Sequence, residues 1–437
     1  MKFYGRDDEL AKLAKTREHS LQSSTFTVIT GRRRIGKTTL MLKSAENHRH
    51  VYLFVSRTTE SILCSRLQES AMEAGVDIVG NVTEFRDLFK ALMLDSKREP
   101  LTVIIDEFQE LNNVNPGIFS SIQEIWDRYH KESRMNLLVG GSVHSMMVRL
   151  FEDEKQPLFG RATSKIVLRP FKASLLKDIL IEYNPNAGPR DLLMLYMLTG
   201  GVPRYVGTLV DGGNVNEKSM LDAALSEGSI FLSDGRDILL TELGKDHRVH
   251  LSILGLISSG KDRRSQIDDI LGMETGPYLK KLESEYQFIR HRTPVFSKPE
   301  SRNMQWEIVD PYLRFYFRFI EPSMAYLESR RYDLLMRYIE RGLEEYEERS
   351  LEDLLRKKVS EEWMYTEVGG YWNRKGDVKI DLAVIDSIDR KATFIEVKRN
   401  PSKIDIGSLS RKVSTLDQHL HGYDVELKGM SMDDLWS

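Results

Sequence analysis

A single cysteine, Cys64, stands in 437 residues. That count excludes a disulfide framework, a cysteine-built zinc site and an iron–sulfur cluster. Long apolar runs are missing too: even Leu313–Ile320 is broken by Arg314 and Arg318. No membrane span is expected, since one needs about 18 or more apolar residues. Met1–Leu10 has no apolar stretch of the kind a secretory signal carries, and a cytoplasmic chain is the expectation. Neither sign of charge dominates. Sixty-three Lys plus Arg face 66 Asp plus Glu, a net of −3, so any basic surface would have to be local. There is no internal repeat and no low-complexity tract. What remains is an ordinary globular composition, 41% apolar and 30% charged. Its length suits about three domains of roughly 150 residues each.

Residues 1–170 alternate short β-rich runs with helical patterns. Phe26–Thr30, Val51–Val55, Leu101–Ile105, Leu137–Val139 and Ile166–Leu168 read as strands, and Thr38–Asn47 and Ile118–His130 as helices. Continuous apolar strands alternating with helices predict an α/β domain with a parallel sheet covered on both faces. Residues 171–246 lose the strands and read as a small helical lid. Residues 247–310 give three helical segments, the third at about Pro277–Tyr286, then two β-like segments, Phe288–Phe296 and Gln305–Val309. That order describes a winged helix-turn-helix. A helical connector is expected over 311–341. A last α/β domain, 342–437, starts with a helix near Gly342–Lys358 and continues with strands Lys379–Ile385 and Thr393–Lys398.

The sharpest motif is Gly31-Arg-Arg-Arg-Ile-Gly36-Lys37-Thr38, a match to G-x-x-x-x-G-K-[ST] placed between an apolar strand and a helix. Glycines let backbone N–H groups curl around phosphate oxygens, and the helix N-terminus adds positive potential. Lys37 would reach the β- and γ-phosphates and the Thr38 hydroxyl would bind Mg²⁺. Gly31, Ile35, Gly36 and Thr39 complete the expected nucleotide contacts. Arg32, Arg33 and Arg34 are expected to face solvent or a partner. Leu101-Thr-Val-Ile-Ile-Asp106-Glu107 supplies the second half of an ATP site. Asp106 would hold the magnesium shell, and Glu107 would polarise the attacking water.

These residues, with Phe3–Leu10, Leu158–Arg161 and Gly200–Tyr205, resemble the archaeal-type ATPases of the AAA+/STAND-like branch of P-loop NTPases. The C-terminal segment resembles the domain of unknown function that often follows this module. The resemblance implies ATP and Mg²⁺ as cofactors. It places Tyr4, Gly5 and Arg6 near the adenine and makes Ser142 a polar sensor of the γ-phosphate. Two glycines precede Ser142 where the family usually has one small residue. Arg161 becomes a candidate arginine finger, implying self-association so that it acts between subunits, and Arg204 a nucleotide sensor in the lid. Arg161 follows Gly160 in a loop, where a guanidinium could reach a neighbouring phosphate; an ordinary surface arginine fits the same position.

Two features bear on nucleic acid. Lys280 and Lys281 on the third helix and Arg290, His291 and Arg292 on the wing could neutralise DNA phosphates. Glu283 and Glu285 would oppose that, and such a module can instead pack on its own chain. In the C-terminal domain, Glu396 and Lys398 share one strand face, and Asp381 lies across a polar turn on the preceding strand. Two carboxylates and an ammonium at one sheet edge can hold a divalent metal and activate water for phosphodiester cleavage. The arrangement resembles the PD-(D/E)xK restriction-endonuclease-like fold, which implies Glu347 as a further metal ligand, with Ile380 where the signature has proline. Tyr371-Trp372 is similar to an aromatic pair of that C-terminal family. A degenerate hairpin with surface charges fits the same residues. Two functions stay open: an ATP-hydrolysing enzyme acting on or regulated by DNA, with a metal-dependent nuclease domain, and a nucleotide-gated signalling or scaffold ATPase that binds protein partners and whose C-terminal domain is catalytically inactive.

Overall fold

Five apolar segments of the first 169 residues pair as one parallel sheet. They are β1 (Thr25–Gly31), β2 (His50–Phe54), β3 (Leu101–Asp106), β4 (Met135–Gly140) and β5 (Ser164–Leu168). The strand order is β2-β3-β4-β1-β5, and every pairing within it is parallel. Each central strand is buried on both faces, which is why the sequence shows runs and not alternation. Phe26 and Val28 of β1 enter a large apolar cluster, while Thr27 and Ile29 are buried as well. Phe26 packs on Trp126 and Phe151, ring centroids 5.2 and 5.5 Å apart. The structure, a computed structural model, describes residues 1–243, 247–298, 301 and 303–436. Among these, no helix is long and apolar enough to cross a membrane.

The chain divides into two compact units, Lys2–Arg169 and Pro170–Ser437, the latter with Met1. The second unit opens with five helices between Ala173 and Leu243. The expected lid boundary at residue 246 lies outside the described residues. Helices Arg248–Ser258, Arg264–Leu271 and Gly276–Ser284 follow. Next comes an antiparallel pair, β6 (Ile289–Arg292) and β7 (Gln305–Ile308). The first of these is shorter than the Phe288–Phe296 run suggested, because Pro294 cannot donate a ladder hydrogen bond.

The expected domain boundary between residues 341 and 342 falls inside a single helix, Tyr332–Glu362. No proline or glycine cap breaks it there: Gly342 is tolerated in mid-helix, where an added Cβ would meet Phe319 Cε1 at 3.0 Å. After it come β8 (Glu367–Trp372), β9 (Lys379–Asp386), β10 (Lys391–Lys398) and β11 (Asp424–Ser431) in the order β11-β10-β9-β8. The sheet is mixed. β8, β9 and β10 are antiparallel neighbours, whereas β11 joins β10 in parallel through helix Ile406–Val413.

A buried ion network joins the β6–β7 pair to the long helix. Arg292 and Arg356 lie 3.0 and 3.7 Å from Glu307, and Arg290 also pairs with it. Arg356 and Arg314 hold Asp353 at 2.6 and 3.2 Å, and the Tyr196 hydroxyl donates to it at 2.7 Å. Burial works to raise the Glu307 pKa, but Arg356, Arg292 and Arg290 outweigh it and hold the carboxyl at about 2. Such a group stabilises the fold above its ordinary range, 4.5, and loses that contribution as pH falls through about 2. Glu307→Gln should therefore flatten the acid dependence of thermal unfolding between those two values by up to one proton. An unchanged slope would show that Glu307 is not held in its charged form.

Candidate ATP site

The loop after β1 owes its shape to three residues with positive φ. Gly31 at 144° and Gly36 at 92° bracket Arg34 at 71°. At Gly31 a Cβ would meet the Leu168 carbonyl oxygen at 2.7 Å, so only glycine lets β5 close on the loop. Gly36 caps helix Lys37–Ala45. The Lys37 ammonium is buried and donates to the carbonyls of Gly31 at 2.8 Å and Arg32 at 3.1 Å. Ile35 is fully buried, Thr38 half-buried and Thr39 exposed. Of the three loop arginines only Arg33 is exposed. Arg32 and Arg34 are half-buried.

Strand order brings the second half alongside. β4 lies between β1 and β3, so residues at its end emerge between the loop and the acid pair. Asp106 Oδ2 accepts from the Thr38 hydroxyl at 2.5 Å and from the Tyr52 hydroxyl at 3.1 Å. Burial first, and Asp106 next, push the Tyr52 hydroxyl well above its ordinary pKa, so it stays a donor. Glu107 turns the other way. Its backbone is left-handed, φ 54° and ψ 41°, and its Oε2 accepts from Ser142 at 2.7 Å and from the Gln109 amide at 2.6 Å. Sequence reasoning missed Tyr52 and Gln109, which no motif singles out.

The two glycines before Ser142 have steric reasons. A Cβ at Gly140 would lie 2.6 Å from Met41 Cε and 3.2 Å from Asp106 Oδ1. One at Gly141 would lie 2.3 Å from Met147 Sδ and 2.5 Å from Gln109 Oε1.

Residues 3–209 match the family model described as "ATPase domain predominantly from Archaea", and 316–407 match one described as "Archaea bacterial proteins of unknown function". Residues 3–209 carry the archaeal-type ATPase domain. An uncharacterised protein of Methanocaldococcus jannaschii is 29% identical to this ATPase over 405 residues, 91% of this chain and 87% of that protein. The Walker-type ATPase of Pyrococcus abyssi shares the fold with a TM-score of 0.56 at 19% identity, over 72% of this chain and 96% of that one. The Aeropyrum pernix ORC2 protein, solved as ADPNP–ADP complexes, gives a TM-score of 0.51 at 19% identity, over 74% and 96%.

The remaining expected residues fall in several places. Tyr4 is half-buried and Gly5 has φ 55°. Arg6 is buried and donates to Arg169 O at 2.9 Å and Ile35 O at 3.4 Å. Burial lowers its pKa against the raising effect of Glu9. The guanidinium thus braces the N-terminal segment against the ATPase's loop. Arg161 is tied to Asp127 at 3.1 Å and to its own loop through Phe159 O at 2.8 Å. Arg204 is exposed in the first turn of helix Pro203–Asp211, in the second unit.

The expected C-terminal metal set is not assembled. Asp381 and Glu396 each lie one residue beyond the last β9–β10 pair, Leu382 with Ile395, and each carboxylate is taken. Asp381 accepts from the Val397 N–H at 3.1 Å and pairs with Lys379 at 3.2 Å. Glu396 accepts from the Asp405 N–H at 2.5 Å, with Lys398 3.9 Å away. Glu347 pairs with Arg399 at 2.8 Å. Among the described residues no group of three His, Cys, Asp or Glu side chains could hold a metal ion. On the β6–β7 pair the expected DNA-facing cations are also engaged, Arg290 and Arg292 with Glu307, and His291 with Glu283 at 2.6 Å.

Gly141→Ala tests the packing behind Glu107. The added methyl meets the buried Met147 and Gln109 side chains, so the variant should lose about 1–3 kcal/mol of stability while the Gln109 side chain moves off Glu107. ATP binding should persist and hydrolysis should fall about tenfold or more, since small misplacements at a reacting centre are costly. Unchanged turnover would show that the Gln109 contact has no part in hydrolysis.

Proposed function

We propose that this ATPase hydrolyses MgATP with Glu107 as the base that orients the attacking water. The observation that carries the reading is the division of labour at the end of β3. Asp106 turns to Thr38, and Glu107 turns to Ser142 and Gln109. Lys37 would exchange the Gly31 and Arg32 carbonyls for β- and γ-phosphate oxygens, and the loop N–H groups would hold the remaining phosphate oxygens. Thr38 and Asp106 offer the hard oxygen ligands that Mg²⁺ prefers, and the ion would neutralise charge developing on the transferred phosphate. Ser142 and Gln109 fix the Glu107 carboxylate so that it accepts the water's proton from one direction. The ADPNP–ADP complexes of the Aeropyrum pernix ORC2 protein support a nucleotide in this fold. Tyr4 and Gly5 would border the base, with Arg6 as their brace, and Arg204 would sense the nucleotide.

Arg161 serves, in this proposal, as a finger for a neighbouring subunit, exchanging Asp127 for a γ-phosphate oxygen. The three helices and the β6–β7 pair are read as a winged helix, which would present Lys280 to DNA. For the C-terminal domain the engaged carboxylates favour the second reading, a catalytically inactive domain in place of a metal-dependent nuclease.

Hydrolysis and binding assays on the full chain separate these roles. Lys37→Ala should lose ATP binding. Glu107→Gln should bind ATP and turn it over at least about 100-fold more slowly, the scale of a general-base contribution. Normal turnover in Glu107→Gln overturns the base assignment. Mixing Arg161→Ala with Lys37→Ala protein should recover activity that neither has alone; a mixture as inactive as its parents rules out a finger acting between subunits. DNA should stimulate hydrolysis less as salt rises, without product strands on a gel. Cleavage would restore the nuclease reading, and no stimulation would remove DNA from the proposal.

A further inference from the structure

In the second unit, a cavity of about 350 Å³ lies among the β6–β7 pair, the long helix Tyr332–Glu362 and the β8–β9 strands. Its walls include Trp306, Trp372, Asp262, Arg263, Arg314 and Arg349. The volume falls within the range of ordinary small-ligand sites.

The polar groups at this wall are unevenly satisfied. Trp306 and Trp372 are only 8% and 5% exposed, yet neither indole N–H has a hydrogen-bond acceptor. The buried Arg314 Nε is also without one. An indole can only donate, and a buried donor left unmet is costly. The carboxylates that could have served are spent elsewhere. Glu307 and Asp353 are shared among arginines, and Lys379 takes both Glu352 and Asp381, at 3.0 and 3.2 Å. Arg263 and Arg349 make no ion pair among the described residues, although they line the same space. Asp262 makes no ion pair among the described residues, and burial pushes its pKa up against the lowering effect of Arg349 and Arg263. Arg292 lies over the Trp372 ring, 5.6 Å from its centroid, which helps to fix the indole's direction.

We infer that this cavity binds an oxyanion of the phosphate class, held by the Trp306 and Trp372 N–H groups and by Arg263 and Arg349. Donors without acceptors, and arginines outside any ion pair among the described residues, select a small ligand that accepts hydrogen bonds. A tetrahedral oxyanion offers enough lone pairs to meet them all. The site is separate from the ATP site and does not depend on hydrolysis there. Its ligand chemistry has two sources, a free phosphate ion or the terminal phosphate of a nucleic-acid strand.

The test uses the full chain saturated with a non-hydrolysable ATP analogue, so that the loop after β1 is filled. Titration with inorganic phosphate, followed by calorimetry, should show one saturable site per chain. Arg263→Gln and Arg349→Gln remove cations at the rim of the cavity. Trp372→Phe removes one N–H and keeps the ring. Each should weaken phosphate binding by about tenfold or more, because a hydrogen bond to a charged acceptor is worth about 1.5–3 kcal/mol. Binding of the ATP analogue, unchanged in all three, reports that they fold. Absence of saturable uptake overturns the proposal, as does affinity within twofold of the parent chain in all three variants. A short 5′-phosphorylated oligonucleotide that displaces phosphate, where its unphosphorylated form does not, assigns the source to nucleic acid. Displacement by neither assigns it to the free ion.

Discussion

Two neighbouring carboxylates at the end of one strand have to face different partners. A regular strand would send Asp106 and Glu107 to opposite faces of the sheet, and neither direction would suit both partners. The left-handed backbone at Glu107 resolves this. It ends β3 abruptly and turns the second carboxylate toward the end of β4. A non-glycine residue in that conformation costs about 1–2 kcal/mol, and it persists only where surrounding contacts determine it. Here the Ser142 hydroxyl, the Gln109 amide and the bond from the Glu107 N–H to Asp106 Oδ1 at 3.0 Å supply those contacts. Gly140 and Gly141 then follow as a consequence. With the acid pair and Met41, Met147 and Gln109 so close, no side chain fits at either position without displacing a neighbour.

The second unit obeys a different constraint. Its charges are buried in pairs, and a buried charge that loses its partner costs far more than an exposed one. Arg290 and Arg292 look, in sequence, like a wing offered to DNA, yet both are committed to Glu307. Asp381 and Glu396 look like a metal pair, yet a backbone N–H and a lysine hold the first and another backbone N–H holds the second. Charge satisfaction inside the fold thus competes with the functions the same residues suggest. The unmet indole and guanidinium donors around the cavity are where that satisfaction stops short.

The ATP site was legible because its chemistry is local. Eight consecutive residues make the loop, and two more end an apolar strand; the expected segments differ from β1 to β5 by a few terminal residues. Resemblance added Ser142, whose contact with Glu107 depends on the strand order. Tyr52 and Gln109 were not legible, because each meets its partner only once the sheet is assembled. β11 escaped notice for a physical reason: Asp424–Ser431 is largely exposed along the edge of its sheet, and the short alternation of Val425 and Leu427 with charged residues ends at Gly429. The break expected at residue 341 failed because charged, helix-favouring residues run on both sides of it. Trp306, Trp372 and Asp262 come from three distant segments, and nothing in their spacing announces a common cavity.

The central claim is that Ser142 acts through Glu107, and a double-mutant cycle on steady-state ATP turnover tests it most directly. Ser142→Ala should slow hydrolysis in the parent chain and have no further effect once Glu107 is already Gln. Losses that simply multiply, with Ser142→Ala costing as much in the Glu107→Gln chain as in the parent, would contradict the account and give Ser142 a task of its own.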